Sequence, residues 1–251
     1  VSGVINFIRH GESTWNQEGR LQGQGKPTEN LPEGTGGAII GFKDSKLLDS
    51  SGLTEKGYLQ ARELADKISG WFQGNHRIVF VSSDLIRCKQ TTETLVDCLS
   101  AKNIEAVVHY DKRLREADHG RLSGLLESEY RQLDYFRQYK MLPPEEQFSM
   151  AMDPECGESY HLVAGRIHEA MIHYLHQFPE DEIYFVTHGG PMRAIYTYLT
   201  RDPAPFSTEY DIANQLKNCS VMKISNIHNA HISLSIEFAA PIGAENSAKK
   251  I

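Results

Sequence analysis

Arg9, His10 and Gly11 join three residue types that suit the handling of a phosphoryl group. A guanidinium is a planar, permanently charged fork that matches phosphate oxygens, and a neutral imidazole attacks phosphorus when an acceptor holds its other nitrogen. Gly11 lets the backbone approach an anion closely, and Ser13 and Asn16 add neutral donors from the following turn. Farther along stand Arg87, the carboxylates Glu116 and Asp118, and His188 followed by Gly189. A carboxylic acid that works near neutrality needs its ionisation opposed by burial or by nearby negative charge. Each residue also has a plain reading: His10 as a satisfied loop histidine, Arg87 as a surface helix charge, Glu116 or Asp118 as a cap or ion-pair residue, His188 as structural.

The elements around these residues give them an address. Short β-rich apolar runs at Val4 to Ile8, Ile78 to Val81, Ala106 to His109 and Ile183 to Thr187 read as buried strands. Longer segments of helical period separate them. One carries Leu53, Leu64, Ala65, Ile68, Trp71 and Phe72; another carries Leu85, Cys88, Leu95 and Leu99. A third spans Ser159 to Gln177 with Val163, Ile167, Ala170, Met171 and Tyr174 inward and Pro179 as its stop. This alternation predicts an α/β fold, a three-layer α/β/α arrangement with a mostly parallel central sheet. His10, Arg87 and His188 then fall at or just beyond the carboxyl ends of strands, where open α/β sheets place ligand sites. Residues 24–50 are too long and Gly-rich for an ordinary connection and read as an insertion or lid. Residues 123–156, with Tyr130, Tyr135, Phe136 and Tyr139 ahead of Pro143 and Pro144, read as a cover helix followed by a loop. Ser220 to Ala239 reads as a hairpin of VMKI and HISLSIEF.

RHGESTWN at 9–16 resembles the opening motif of the histidine phosphatase, or phosphoglycerate mutase-like, superfamily. SSDLIRCKQT resembles that family's second arginine motif, LREADHG its acidic motif and VTHGGPMRA its second histidine motif, all in family order. The resemblance spans nearly the whole chain. It implies a phosphoglycerate mutase-like fold and a phosphomonoester hydrolase, a histidine acid phosphatase-type enzyme working through phosphohistidine on His10. Arg9, Arg87 and His188 would surround the transferred group, and Glu116 rather than Asp118 would protonate the leaving oxygen. GRLQG resembles the phosphatase branch and implies substrate contacts at Gln22 and Gly23, beside those expected of Ser13, Asn16 and Gly189. Two alternatives stand: a cofactor-dependent phosphoglycerate mutase, and a non-catalytic phospho-ligand binding protein on the same fold.

Composition sets the remaining bounds. With 251 residues, 40% apolar and 24% charged, the chain reads as one domain over 1–251 with embellishments. A net charge of −7 argues against a broad nucleic-acid surface, and no apolar run has the length of a membrane span. With no secretory signal pattern at the start, a cytoplasmic location is expected. Cys88, Cys98, Cys156 and Cys219 lack paired spacing and are expected as reduced thiols. His161, His168, His173 and His176 share one predicted helix, but no carboxylate-rich or Cys-His set accompanies them, so no metal and no cofactor are expected. The expected partner is a small phosphoester such as a sugar phosphate or phosphoglycerate, with a phosphoprotein also compatible. Oligomeric state is not encoded in any pattern read here. Arg113, Arg115 and Arg121 are expected to be solvated charges and Cys88 to be buried beneath its helix.

Overall fold

The computed structural model of the protein describes residues 3–24, 51–74, 77–203 and 216–225. In chain order the elements are β1 (Val4–Arg9), α1 (Thr14–Glu18), α2 (Glu55–Trp71), β2 (Ile78–Ser82), α3 (Ile86–Ser100), β3 (Ala106–Tyr110), α4 (Glu127–Tyr130), α5 (Asp134–Met141), α6 (Pro144–Ser149), α7 (Tyr160–Gln177), β4 (Glu182–Thr187), α8 (Gly189–Thr200) and β5 (Val221–Ser225). The strands form one sheet in the order β3-β2-β4-β1-β5, parallel except for β5, which runs antiparallel to β1. The fold is the mostly parallel α/β sheet that the alternation predicts.

Alternating side chains feed two cores, as the period of two in a strand requires. Ile5, Phe7, Val79, Val81, Ile183 and Phe185 face α7 and α8 with Val163, Ile167, Met171 and Ile195. Ile8, Ile78, Phe80, Tyr184 and Val186 face α2 and α3 with Leu64, Ile68, Leu95 and Leu99. Both faces of the sheet are covered, so the central strands are near-continuous apolar runs. Thr54 and Ser159 cap α2 and α7 by accepting from Gly57 N and Leu162 N.

Several expectations need correction. The apolar stripe of α2 passes from Ile68 to Phe72 at a spacing of four, leaving Trp71 44% exposed. Leu53 precedes the helix rather than joining it. The cover segment is three short helices, not one helix and a loop. Leu133 and Leu142 are extended, the latter because it precedes Pro143, and Pro144 then opens the next turn. Of the predicted hairpin, VMKI is β5, while HISLSIEF lies outside the described residues, as does the insertion at 24–50 beyond Gln24. Among the described residues no helix is long and apolar enough to cross a membrane.

Close backbone packing sets the loop after β1 against α2. A Cβ on Gly11 would lie 2.6 Å from the Gly57 carbonyl oxygen, and one on Gly57 would lie 2.1 Å from the Glu12 carbonyl oxygen. Backbone cannot retreat as a side chain can, so Gly57→Ala is expected to cost about 1–3 kcal/mol, the usual range for overpacking. Gly70 lies in the same helix with open space around it. Gly70→Ala should instead stabilise by about 0.5 kcal/mol. Urea unfolding of the pair checks this; equal shifts would show that the Gly11 and Gly57 approach is not tight in solution.

Candidate active site

His10 leaves the carboxyl end of β1 with its N–H bonded to Thr187 O at 3.0 Å, so the neighbouring parallel strand fixes its backbone. Its Nδ1 lies 2.7 Å from Gly11 O. A carbonyl only accepts, so Nδ1 carries the proton and the neutral ring keeps its lone pair on Nε2. Burial, reinforced by Arg87 and Arg9, holds the His10 pKa well below the ordinary imidazole value. The residue borders a cavity of about 360 Å³ that Arg9, Asn16, Gln22, Glu116, His119, Tyr160 and Arg193 also line.

Glu116 stands on the loop after β3. Its Oε1 accepts from Ala117 N at 2.8 Å and its Oε2 from Gly190 N at 3.3 Å. Those bonds and the nearby Arg87 and Arg193 favour the carboxylate, yet burial outweighs them and the pKa is raised. Burial thereby favours the protonated acid over the carboxylate. Gly190 makes the approach possible, since a Cβ there would lie 2.1 Å from Glu116 Oε1. Asp118 instead accepts from Gly120 N at 3.1 Å and does not line the cavity.

The cations differ in how they are held. Arg9 donates Nη1 to Leu216 O at 2.6 Å, and its buried Nε has no protein partner. Arg87, two residues into α3, donates Nε to His188 Nδ1 at 3.1 Å and Nη2 to Gly23 O at 3.3 Å. These acceptors are neutral, so the bonds orient positive charge without cancelling it.

Not every expected contact residue meets the cavity. His188 is fully buried; its Nδ1 accepts from Arg87, so its proton sits on Nε2, 3.0 Å from Ser83 Oγ. It positions Arg87 and packs its ring 5.1 Å from that of His10, and neither His188 nor Arg87 lines the cavity. Ser13 is buried as the N-cap of α1, exchanging hydrogen bonds with Asn16. Asn16 Oδ1 also accepts from Asn218, which leaves the amide donors of Asn16 for the cavity it lines. Gln22 lines the cavity with a buried amide oxygen that has no partner, and a flip of the amide puts its NH₂ there. Gly23 serves through its carbonyl and through tight packing, a Cβ falling 2.1 Å from Ser123 Oγ. Gly11 is required by its approach to α2 rather than by an anion. Gly189 borders the cavity, with space for a Cβ 3.6 Å from the Arg9 guanidinium.

Arg113, Arg115 and Arg121 pair with Asp111, Asp84 and Asp153. Cys88 is buried with Sγ 3.4 Å from His188 Nε2, and burial pushes its thiol up. His161 and His168 lie against Tyr198, and His173 against Tyr174. Tyr130 lines the cavity, while Tyr135 lies under Arg121 and Phe136 and Tyr139 are buried. Among the cavity residues that escaped the sequence reading are His119, Tyr160 and Arg193. Each sits inside a stretch read for other residues. Arg193 follows Gly189 by four positions, the spacing that puts two helical residues on one face, and its guanidinium lies 4.8 Å over the Tyr160 ring.

The model of the histidine phosphatase superfamily (branch 1) matches residues 44–235. The chain is 29% identical over 204 residues to a metal-independent phosphoserine phosphatase of Arabidopsis thaliana, covering 78% of this chain and 68% of that protein. It is 31% identical over 195 residues to phosphoserine phosphatase 1 of Hydrogenobacter thermophilus, covering 77% and 74%. The solved phosphoglycerate mutase of Bacillus anthracis str. Sterne superposes with a TM-score of 0.61 at 19% identity, over 95% of this chain and 92% of that one, a likeness of fold.

Burial, with Arg193 and Arg87 adding, pushes the His119 imidazole down to about 3. Between its ordinary pKa near 6.5 and that value, the unfolded chain binds a proton that the folded chain does not. Stability therefore falls as pH drops through this window, by about 1.4 kcal/mol per pH unit for each such histidine. His119→Gln is expected to make the acid limb shallower by that amount in urea unfolding between pH 6 and 4. An unchanged slope would mean that His119 is protonated inside the fold.

Proposed function

The chain belongs to the histidine phosphatase superfamily, and from that premise we propose that it hydrolyses phosphomonoesters through a phosphohistidine on His10, with Glu116 as the proton donor. The observation that carries this reading is the hydrogen bond from His10 Nδ1 to Gly11 O, which leaves Nε2 as an unprotonated nucleophile beside a cationic cavity. In the first step Nε2 attacks phosphorus, the ester P–O bond breaks, and the Glu116 carboxyl proton passes to the departing oxygen. In the second, the Glu116 carboxylate takes a proton from water, the water oxygen attacks phosphorus, and the N–P bond breaks to return neutral His10 and inorganic phosphate. Arg9 lines the cavity and places fixed positive charge where the equatorial oxygens become more negative, and Arg87, bonded to His188 off the cavity, adds its field to the same region, the main task in phosphoryl transfer.

The substrate we propose is a small phosphoester carrying a carboxylate, such as a phosphorylated amino or hydroxy acid. The relatives named for phosphoserine point to that class, and Arg193, His119 and Gln22 supply donors beyond those needed for one phosphate. No step of this mechanism calls on a divalent ion, since arginines carry the positive charge. We take residues 1–251 as a single domain built around this centre.

His10→Ala should abolish phosphate release while leaving thermal unfolding close to that of the parent, and retained turnover would remove His10 as nucleophile. Glu116→Gln is expected to lower kcat by on the order of 10²- to 10⁴-fold on alkyl phosphates and much less on an aryl phosphate, whose leaving group needs no proton. Equal losses on both would take the acid role from Glu116. Turnover should survive a chelator; inhibition reversed by a divalent ion would contradict the metal-free reading. Phosphate release should exceed transfer between phosphoglycerates, and the opposite ratio would make the chain a mutase.

A further inference from the structure

The loop that carries Glu116 has no strand partner on its far side, yet its backbone is held at every residue from 113 to 116. Leu114 O accepts from Thr187 Oγ1 at 2.7 Å. The other three carbonyls all accept from one side chain, Arg166 of α7, and Glu116 O accepts from Gln24 Nε2 at 3.0 Å as well. Arg166 Nη1 donates to Arg113 O at 2.5 Å and to Arg115 O at 2.7 Å, and its Nη2 donates to Glu116 O at 3.0 Å. The remaining donors go to Glu158: Nε to Oε1 at 2.8 Å and Nη2 to Oε2 at 2.9 Å. A guanidinium has five N–H donors in a rigid planar fork, and here all five are used.

Glu158 is itself tied to the same loop. Its N–H donates to Asp118 O at 2.7 Å, and its Oε2 accepts from Asp118 N at 3.3 Å. The pair therefore clasps the loop on both sides of Glu116, through backbone atoms alone, without lining the cavity. Both side chains are mostly buried, 17% and 18% exposed, where charge-assisted bonds are screened less than at the surface.

We propose that Arg166, braced by Glu158, is a positioning residue for the proton donor: its fork fixes the carbonyls of residues 113, 115 and 116 and so the direction in which the Glu116 carboxyl enters the cavity. The inference rests on the reading of Glu116 as the acid. Arg166 touches no substrate. It acts by holding a backbone whose displacement by an ångström would misalign proton transfer, a misplacement that costs on the order of 10²-fold in rate. The need is acute because, among the described residues, the carboxyl oxygens are otherwise steadied by the N–H groups of Ala117 and Gly190, the latter at 3.3 Å.

The test measures kcat and KM for Arg166→Met, Arg166→Lys, Glu116→Gln and the double variant Arg166→Met with Glu116→Gln, each on an alkyl phosphate and on an aryl phosphate. Arg166→Met should lose on the order of 10²-fold in kcat on the alkyl ester and less than about 10-fold on the aryl ester, with KM little changed. Arg166→Lys, with three donors on a point charge, should fall between parent and Arg166→Met. The double variant should be no slower on the alkyl ester than Glu116→Gln alone, because both substitutions remove the same proton transfer. If Arg166→Met does not fold, the ratio of alkyl to aryl losses is read from Arg166→Lys. Equal losses on both esters, or additive losses in the double variant, would overturn the positioning role while leaving Glu116 as the acid. A Glu116→Gln variant that does not discriminate the esters would overturn the acid reading, and this inference with it.

Discussion

The hydrogen bond between His10 Nδ1 and the Gly11 carbonyl is the interaction on which the rest of the centre depends, because it decides which ring nitrogen can react. That carbonyl points correctly only while Gly11 stays in place. Its N–H is bound by Thr91 Oγ1 at 3.0 Å, and its Cα lies too close to α2 for any side chain. Thr91 in turn donates to Arg87 O at 2.7 Å, one turn back along α3. The nucleophile, the helix that carries Arg87 and the helix that carries Gly57 are thus locked by short backbone contacts. The partner of the His10 ring is a carbonyl and not a carboxylate, and this matters for chemistry. A carboxylate partner would orient the imidazole equally well but would place negative charge where a phosphate dianion must enter.

The same economy of negative charge runs through the site. A chain with net charge −7 must concentrate positive charge locally to receive an anion. The arginines around LREADHG are committed: Arg113, Arg115, Arg121 and Arg166 each face an Asp or Glu. Arg9 and Arg87 hold carbonyl oxygens and a neutral imidazole instead. Burial raises the Glu116 pKa and lowers those of His10, His188 and His119, each shift opposing charge on the side chain concerned, and it opposes the charge of the Arg9 and Arg87 guanidiniums as well. Under the proposed function, a phosphate dianion in the cavity offsets the buried charge of Arg9 and Arg87 and so stabilises the folded chain by linkage.

Much of this was legible in the sequence. The strands stood out because both faces are buried, so Ile78 to Val81 and Ile183 to Val186 are unbroken apolar runs that no exposed segment would carry. His10 stands out as a candidate nucleophile because Arg9, His10 and Gly11 fall at a strand end. What could not be read was which atoms of a recognised residue are already spent. Ser13 and His188 have the chemistry to bind phosphate, and in the fold Ser13 also caps α1 while His188 orients Arg87. Gly11 carries a further constraint that the local motif does not display, since it packs against a helix residue forty-six positions later in the chain. His119, Tyr160 and Arg193 converge on the cavity from a loop and two helices, a long-range coincidence that no local pattern encodes.

The walls of the cavity follow a different logic from its floor. The floor is built at the ends of β1 and β4, whose parallel register fixes His10 and Gly189 relative to one another. One wall is the stretch Gly19 to Gln22, and it is laced to the start of the cover segment rather than to the sheet. Leu21 N donates to Leu125 O, Gly124 N to Leu21 O and Glu127 N to Gly19 O, while Arg20 Nη1 binds Gly124 O. Tyr130, farther along the cover, lines the same cavity. A change in the cover therefore moves Gln22 and its neighbours while the backbone of His10, bonded to Thr187, stays with the sheet. Under the proposed function, chemistry belongs to the floor and substrate selection to this wall, two parts held by separate sets of hydrogen bonds.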